Sequence, residues 1–245
     1  FDSVVAGVRI RAPMMQIHTI AAGGGSVLRF DGSRYRVGPE SAGANPGPVC
    51  YRRGGPLTVT DANVMVGKIH PEFFPKVFGA DGDQPIDAAT VTEKFVAFAQ
   101  KVSTAVGKIV TPQQLADGFL QVAVENVANA IKHISVQRGF NVTRYALVSF
   151  GGAGGQIACR VADTLGMASI LVHPLAGVLS AYGIGVAQTR VMREKTAEIA
   201  FDAGAVAQLE LLFSDLTSSA KDELTLQGIA PDTASVERHV HLKYD

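Results

Sequence analysis

Tyr145-Ala146-Leu147-Val148-Ser149-Phe150-Gly151-Gly152-Ala153-Gly154-Gly155-Gln156 is the stretch that decides the fold. A short apolar strand runs into a glycine turn, and Gln156 to Leu165 then reads as a helix closed by Gly166. Ser169 to His173 reads as a second strand. Two strands joined through a helix lie parallel, which implies an α/β domain. The turn sits between a strand end and a helix N-terminus. Glycine there lets a ligand approach the backbone, and the helix end supplies partial positive charge. The spacing matches neither the dinucleotide fingerprint nor the loop ending in Gly-Lys-Ser/Thr, and both assignments are set aside.

A second glycine cluster, Ala22-Gly23-Gly24-Gly25-Ser26, lies far upstream. Ile17 to Ala21 reads as a strand entering it and Ser26 to Phe30 as a strand leaving it. Asp31-Gly32 signals a tight turn and Tyr35-Arg36-Val37 returns from it, so a hairpin is expected. Without Cβ atoms, Gly23, Gly24 and Gly25 can press backbone N–H groups against phosphate oxygens, and Ser26 can add a hydroxyl. The alternative is a glycine-rich hairpin with no ligand. A long Gly/Pro-rich loop follows from Gly38 to Pro56, and loops of that length are commonly functional.

Two helices fill the middle of the chain. Asp87 is an N-cap for a stretch with Val91, Phe95, Phe98 and Val102 on one face. Thr111-Pro112 starts the next, with an apolar stripe of Leu115, Phe119, Val122, Val127, Ile131 and Ile134 that ends near Arg138-Gly139. The tail reads as a strand, a helix over about Ala205 to Leu226, and another strand. The domains are expected at 1–190, with the start of a further α/β domain at 191–245.

With 245 residues, 47% of them hydrophobic, the chain is large enough for a substantial core. Lys+Arg and Asp+Glu each total 22, and a net charge of zero gives no general pull toward nucleic acid or a membrane surface. Cys50 and Cys159 form no metal or redox spacing, as expected of reduced thiols in the cytoplasm. The start at Phe1 lacks Met, and the alternation at the end reads as a strand that should return. Both termini therefore read as interior to a longer sequence.

The paired glycine clusters resemble the layout of actin-like ATPases and sugar kinases (the ribonuclease H-like superfamily), in which the first loop grips phosphate and the second grips adenosine. The resemblance narrows at Ile17 to Ser26, at Gly38-Pro39-Glu40-Ser41-Ala42-Gly43-Ala44-Asn45-Pro46-Gly47-Pro48, and at Thr58-Val59-Thr60-Asp61-Ala62-Asn63. With Phe150 to Gln156 and Leu175 to Ala181 it is similar, in order, to the hydantoinase A and 5-oxoprolinase family. Cys50 to Gly55 and Ile134 to Gly139 lean toward 5-oxoprolinases rather than N-methylhydantoinases or acetone carboxylase subunits. The resemblance implies ATP-dependent opening of a small cyclic amide, with ATP and Mg²⁺ as cofactors. It also implies a hydantoinase B-like subunit or domain as partner, an oligomer at full length, and no nucleic acid or membrane partner. The family's first phosphate loop is missing from this stretch, so the stretch alone is expected to be inactive.

Specific residues follow. Gly23, Gly24, Gly25 and Ser26 are expected on phosphate, and Gly151, Gly152, Ala153 and Gly154 at the adenosine end. Asp61 is the candidate for metal-linked catalysis; its other reading is an Asp that caps the next helix. His18 is a second catalytic candidate, against a packed strand histidine. Glu40 and Asn45 are candidates for substrate contact, against a structural lid. Glu125 and Asn129 share a helix face that can border the nucleotide site or simply edge the core. His173, His239, His241, Arg52 and Arg53 are read as structural or solvated.

Overall fold

A computed structural model describes residues 2–5, 8–11, 17, 19–20, 22–200 and 202–242, with side chains from residue 17 onward. The chain divides into two compact units, Phe1–Tyr182 and Gly183–Asp245, a boundary somewhat ahead of residue 190.

The first unit opens with β1 (Asp2–Val5) and β2 (Val8–Arg11), an antiparallel pair. The expected hairpin follows as β3 (Ser26–Phe30) and β4 (Tyr35–Ser41), with Leu28 opposite Val37 and Phe30 opposite Tyr35. Asp31 closes its turn by accepting the N–H groups of Ser33 and Arg34, and Gly32 supplies the positive φ of 100°. β4 continues into what read as loop, to Ser41, because Ser26 pairs with Ser41 across a bulge. Of the strand expected before the glycine turn, Ile17, Thr19 and Ile20 are not in a strand, and His18 and Ala21 lie outside the described residues.

Three helices share one core with this hairpin. They are α1 (Val59–Met65), α2 (Ala88–Val106) and α3 (Pro112–Ile134). α1 and α3 pack against its strands, and α2 packs against α1 and α3. Asp87 caps α2 by accepting the Thr90 N–H. At α3 the Thr111 hydroxyl accepts the Gln114 N–H, and the Gln114 side chain accepts the Thr111 N–H. Val91, Phe95, Val102, Leu115, Phe119 and Leu120 are fully buried between the helices and the hairpin. The Tyr35 ring lies 4.8 Å from that of Phe119. A Cβ on Gly118 would come within 2.7 Å of Tyr35, so only glycine lets α3 approach the hairpin this closely. α3 ends at Ile134, short of Gly139. Gly139 (φ 83°) instead closes a separate turn over Val136–Arg138.

Farther along α3, Val124 and Ala128 pack on Val161, Ala162 and Leu165 of α4 (Gly154–Leu165). This second core supports β5 (Leu147–Ser149) and β6 (Ile170–Val172), which pair in parallel with Leu147 opposite Ile170. The strand–turn–helix–strand reading thus gives the expected α/β arrangement. α5 (Leu179–Val186) follows. In the second unit α6 (Ala205–Leu226) has the expected bounds, but the strands expected on either side of it are not formed among the described residues. Cys50 is buried, Cys159 is exposed, and both are free thiols. Among the described residues, no helix is long and apolar enough to cross a membrane.

Candidate functional site: two glycine turns meeting over α1

The two glycine turns, more than a hundred residues apart in sequence, meet in space. A Cβ built on Gly24 would stand 3.1 Å from Cβ of Ala153 and 2.7 Å from Oγ1 of Thr60. α1 is the platform beneath them. The Thr60 N–H donates to the Gly24 carbonyl at 2.9 Å, fixing the first turn on the N-terminal end of α1. One helical turn on, Asn63 donates its side-chain amide to Oε1 of Gln156 at 2.9 Å. Lys68, beyond α1, donates to the Gln156 carbonyl at 3.3 Å.

The first turn is held from within. The Ser26 N–H donates to the Gly23 carbonyl, and the Ser26 hydroxyl accepts the Gly23 N–H at 3.0 Å. Ser26 is buried, so it shapes the turn from inside; as a phosphate contact it does not fit this geometry. The N–H groups of Gly24 and Gly25 have no partner among the described residues, and both glycines are only partly buried. A Cβ on Gly25 would meet Oγ of Ser41 at 2.8 Å. The long loop is therefore drawn against this turn, and Ala42 donates to the Gly25 carbonyl.

The second turn follows β5. Gly151 takes a φ of 88°, and its N–H donates to the Ala176 carbonyl. A Cβ on Gly154 would come 2.9 Å from Oγ of Ser149, so the helix start lies tight against the strand end. The N–H groups of Gly152 and Ala153 have no partner among the described residues. Unpaired N–H groups beside a helix N-terminus favour an anion or a polar ligand edge. Each turn therefore offers backbone donors, and the residues present fit the phosphate and polar groups of a nucleotide.

Asp61 requires a correction. It is fully buried at the start of α1, and its carboxylate is occupied. Oδ2 accepts from the N–H of Val49, from the N–H of Thr58 and from the Thr58 hydroxyl; Oδ1 accepts from the N–H of Cys50. Burial pushes the carboxyl above its ordinary value, and the hydrogen bonds from Cys50 and Thr58 oppose that rise. Such a group caps a helix and ties down the preceding loop; it presents no open oxygen to a metal. Beside it, burial and then the Asp61 charge push the Cys50 thiol upward, away from nucleophilic thiolate chemistry. Among the described residues, no cluster of three or more His, Cys, Asp or Glu side chains is placed to hold a metal ion. The described residues therefore do not fit a protein-built Mg²⁺ site at Asp61.

The other candidates separate. His18 lies outside the described residues. Glu40 is exposed and ion-paired with Arg29 across the hairpin, which ties up its carboxylate at the surface. Asn45 is exposed in the long loop. Arg52 clamps the start of α2 through the Pro85 carbonyl and Asp87, each at 2.8 Å. Glu125 accepts from Gln121 along α3, whereas Asn129 has no side-chain hydrogen-bond partner among the described residues. His173 accepts the Leu175 N–H and stacks on Tyr182, a structural role. Sequence reading missed Gln156 and Lys68, and it took Thr60 and Asn63 only as motif text. Asn63 is fully buried, and its Oδ1 is an acceptor without a partner beside the second turn. No periodicity signals such a residue. The Thr58-x-x-Asp61 spacing, by contrast, does spell a capping pattern.

The chain is similar to proteins already known. The chain is 40% identical over 248 residues to 5-oxoprolinase of Saccharomyces cerevisiae, and 38% identical over 250 residues to 5-oxoprolinase 1 of Arabidopsis thaliana. Each match covers 100% of this chain but only 19% and 20% of those proteins, so the chain spans about a fifth of their length. The crystal structure of ATP-dependent caprolactamase from Pseudomonas jessenii superposes with a TM-score of 0.63 at 30% identity, covering 89% of this chain and 30% of that one. The nucleotide-free structure of acetone carboxylase superposes at 0.71 with 21% identity, over 94% of this chain and 33% of that one, a likeness of fold alone. The hydantoinase/oxoprolinase family pattern matches residues 1–193. On the strength of that match, the chain belongs to the hydantoinase/oxoprolinase family.

Proposed function

We propose that this chain is the nucleotide-handling part of an ATP-dependent cyclic amide hydrolase. The reaction we assign to the whole protein is 5-oxo-L-proline plus ATP and two water molecules giving L-glutamate, ADP and phosphate. The observation that carries this reading is the close approach of Gly24 to Ala153, which brings together two turns that each carry backbone N–H groups without a partner among the described residues. Such donors suit the oxygens of a triphosphate and the polar edge of a nucleoside. An unstrained lactam is a poor electrophile, and phosphorylation of its amide oxygen by ATP supplies a leaving group.

The chain's own part is positioning. The N–H groups of Gly24 and Gly25 orient phosphate; those of Gly152 and Ala153 orient the nucleoside end; Thr60 and Asn63 hold the two turns at fixed spacing. A divalent cation such as Mg²⁺ would travel with the triphosphate, and no residue here is assigned to it. The 5-oxoprolinase relatives favour 5-oxoproline as substrate, and the caprolactamase likeness favours a cyclic amide in general. A hydantoinase B-like partner, oligomeric assembly and a cytoplasmic setting belong to the same proposal. So does a role in catalysis for His18.

The test is ADP release by the full-length protein with 5-oxo-L-proline, hydantoins or acetone as the second substrate. Stimulation by 5-oxo-L-proline is expected; stimulation by acetone or a hydantoin alone would reassign the substrate. Gly24→Val drives a side chain into Thr60 and Ala153, and KM for ATP should rise roughly tenfold or more. An unchanged KM for ATP in a folded Gly24→Val protein would remove the turn from the nucleotide site.

A further inference from the structure

A cavity of about 310 Å³ opens beside the first glycine turn, lined by Ile20, Ala22, Val37, Pro39, Asn126 and Asn129. Its walls come from β4, from the exposed face of α3 and from the segment leading into the turn. Ala22 directly precedes Gly23, and its N–H donates to the Ile20 carbonyl, so the cavity floor and the turn are one continuous backbone. Asn126 and Asn129 stand three residues apart on α3 and therefore face the same way. Neither side-chain amide has a hydrogen-bond partner among the described residues. Among the described residues that line it, none carries a charged side chain.

We propose that this cavity holds the ring of the cyclic amide substrate, with Asn126 and Asn129 reading its N–H and C=O edge. This rests on the proposed function and adds a location to it. A lactam presents one donor and one acceptor on the same side of a small apolar ring. Two carboxamides, each carrying both a donor and an acceptor, complement that edge, and Ile20, Val37 and Pro39 complement the methylenes. The volume lies at the low end of the roughly 300–1,000 Å³ of ligand pockets, which suits a small ring rather than a nucleotide. Its lining residue Ala22 stands two and three residues before the Gly24 and Gly25 donors, which sets the ring beside the phosphate position. The described lining residues thus complement the ring amide.

The experiment is saturation-transfer NMR on the full-length protein with 2-pyrrolidinone and 5-oxo-L-proline, alongside steady-state ADP release. Both compounds should bind wild-type protein and compete with each other. Asn126→Ala combined with Asn129→Ala should abolish transfer to 2-pyrrolidinone and raise KM for 5-oxo-L-proline about tenfold or more, leaving KM for ATP within about twofold. Asn129→Leu, which fills the cavity, should act in the same direction. Both positions are exposed on a helix, where Ala and Leu are favoured, so the fold is retained. Wild-type binding of 2-pyrrolidinone that survives both variants overturns the site, as does an equal rise in KM for lactam and ATP. Absence of any 2-pyrrolidinone binding overturns it too. If 5-oxo-L-proline elicits no ADP release yet 2-pyrrolidinone binds in an Asn-dependent way, the site stands and the assigned reaction falls.

Discussion

The region around the first glycine turn and the region around the second are supported in opposite ways. Hairpin β3–β4 and helices α1 to α3 enclose a core in which Phe95 and Phe119 have no exposed surface. On the β5–α4–β6 side the helix is packed, but the two strands are largely bare: Val148 is 53% exposed, Leu171 60% and Val172 55%. Parallel strands are normally covered on both faces, which is why their sequence reads as continuous apolar residues. The first turn is thus held by burial and side-chain hydrogen bonds. The second is held by one helix, by a positive-φ glycine and by its contact with α1. Substitutions in the two regions should therefore differ sharply in cost.

The largest effect is expected at Asp61. Asp61→Ala leaves the N–H groups of Cys50 and Thr58 buried without an acceptor, and the Val49 N–H keeps only the Pro56 carbonyl. The expected loss of unfolding free energy is on the order of 3–5 kcal/mol, read by chemical denaturation. A loss of catalysis with stability unchanged would restore Asp61 as a functional carboxylate. At Asp87 the expected effect is smaller, about 1 kcal/mol for Asp87→Asn near neutral pH. Burial raises the Asp87 carboxyl, but the Thr90 hydrogen bonds and the Arg52 charge outweigh it and hold it below the ordinary 3.8. A lowered folded value means that the stabilisation is complete above about 3.8 and is lost as pH falls through the folded value. The difference between wild type and Asp87→Asn should shrink on the acid side of pH 4. Asp61 has the opposite sign, but it is present in both proteins and cancels in that difference. A gap that persists unchanged down to pH 2 would show that Asp87 contributes only as an uncharged cap.

What was legible in the sequence follows the same division. Local signals were read correctly: the Asp31-Gly32 turn, the caps at Asp87 and Thr111, and the strand–glycine–helix–strand order from residue 147 to 172. Each depends on neighbours within a few residues. The meeting of Gly24 with Ala153 was anticipated only through resemblance, since no local pattern encodes a contact across that span. Asp61 misled because a carboxylate at the end of a β-branched run looks the same whether it caps a helix or faces a cation; only its four donors decide. Glu40 misled in a similar way, since its Arg29 partner is set by hairpin register rather than by spacing along the chain. The strands expected beside α6 need partners to be strands at all, and alternation alone does not provide them.

The smallest effect should lie on the bare face. Leu171→Ser replaces a large apolar side chain in the middle of β6, a change that would be severe in a covered parallel sheet. Leu171 is already mostly in solvent in this chain, so little burial is lost. The expected cost in the 245-residue chain is within about 0.5 kcal/mol by denaturant titration, the range of ordinary surface substitutions. β6 pairs with β5 through backbone hydrogen bonds that serine retains, and Ser149 opposite Val172 is unaffected. A cost of about 2 kcal/mol or more would mean that the face is covered in solution, for instance by a second copy of the chain. In that case the cost should also vary with protein concentration, because self-association stabilises by mass action. A large but concentration-independent cost would instead place Leu171 in a core of its own chain, and the contrast between the two regions would disappear.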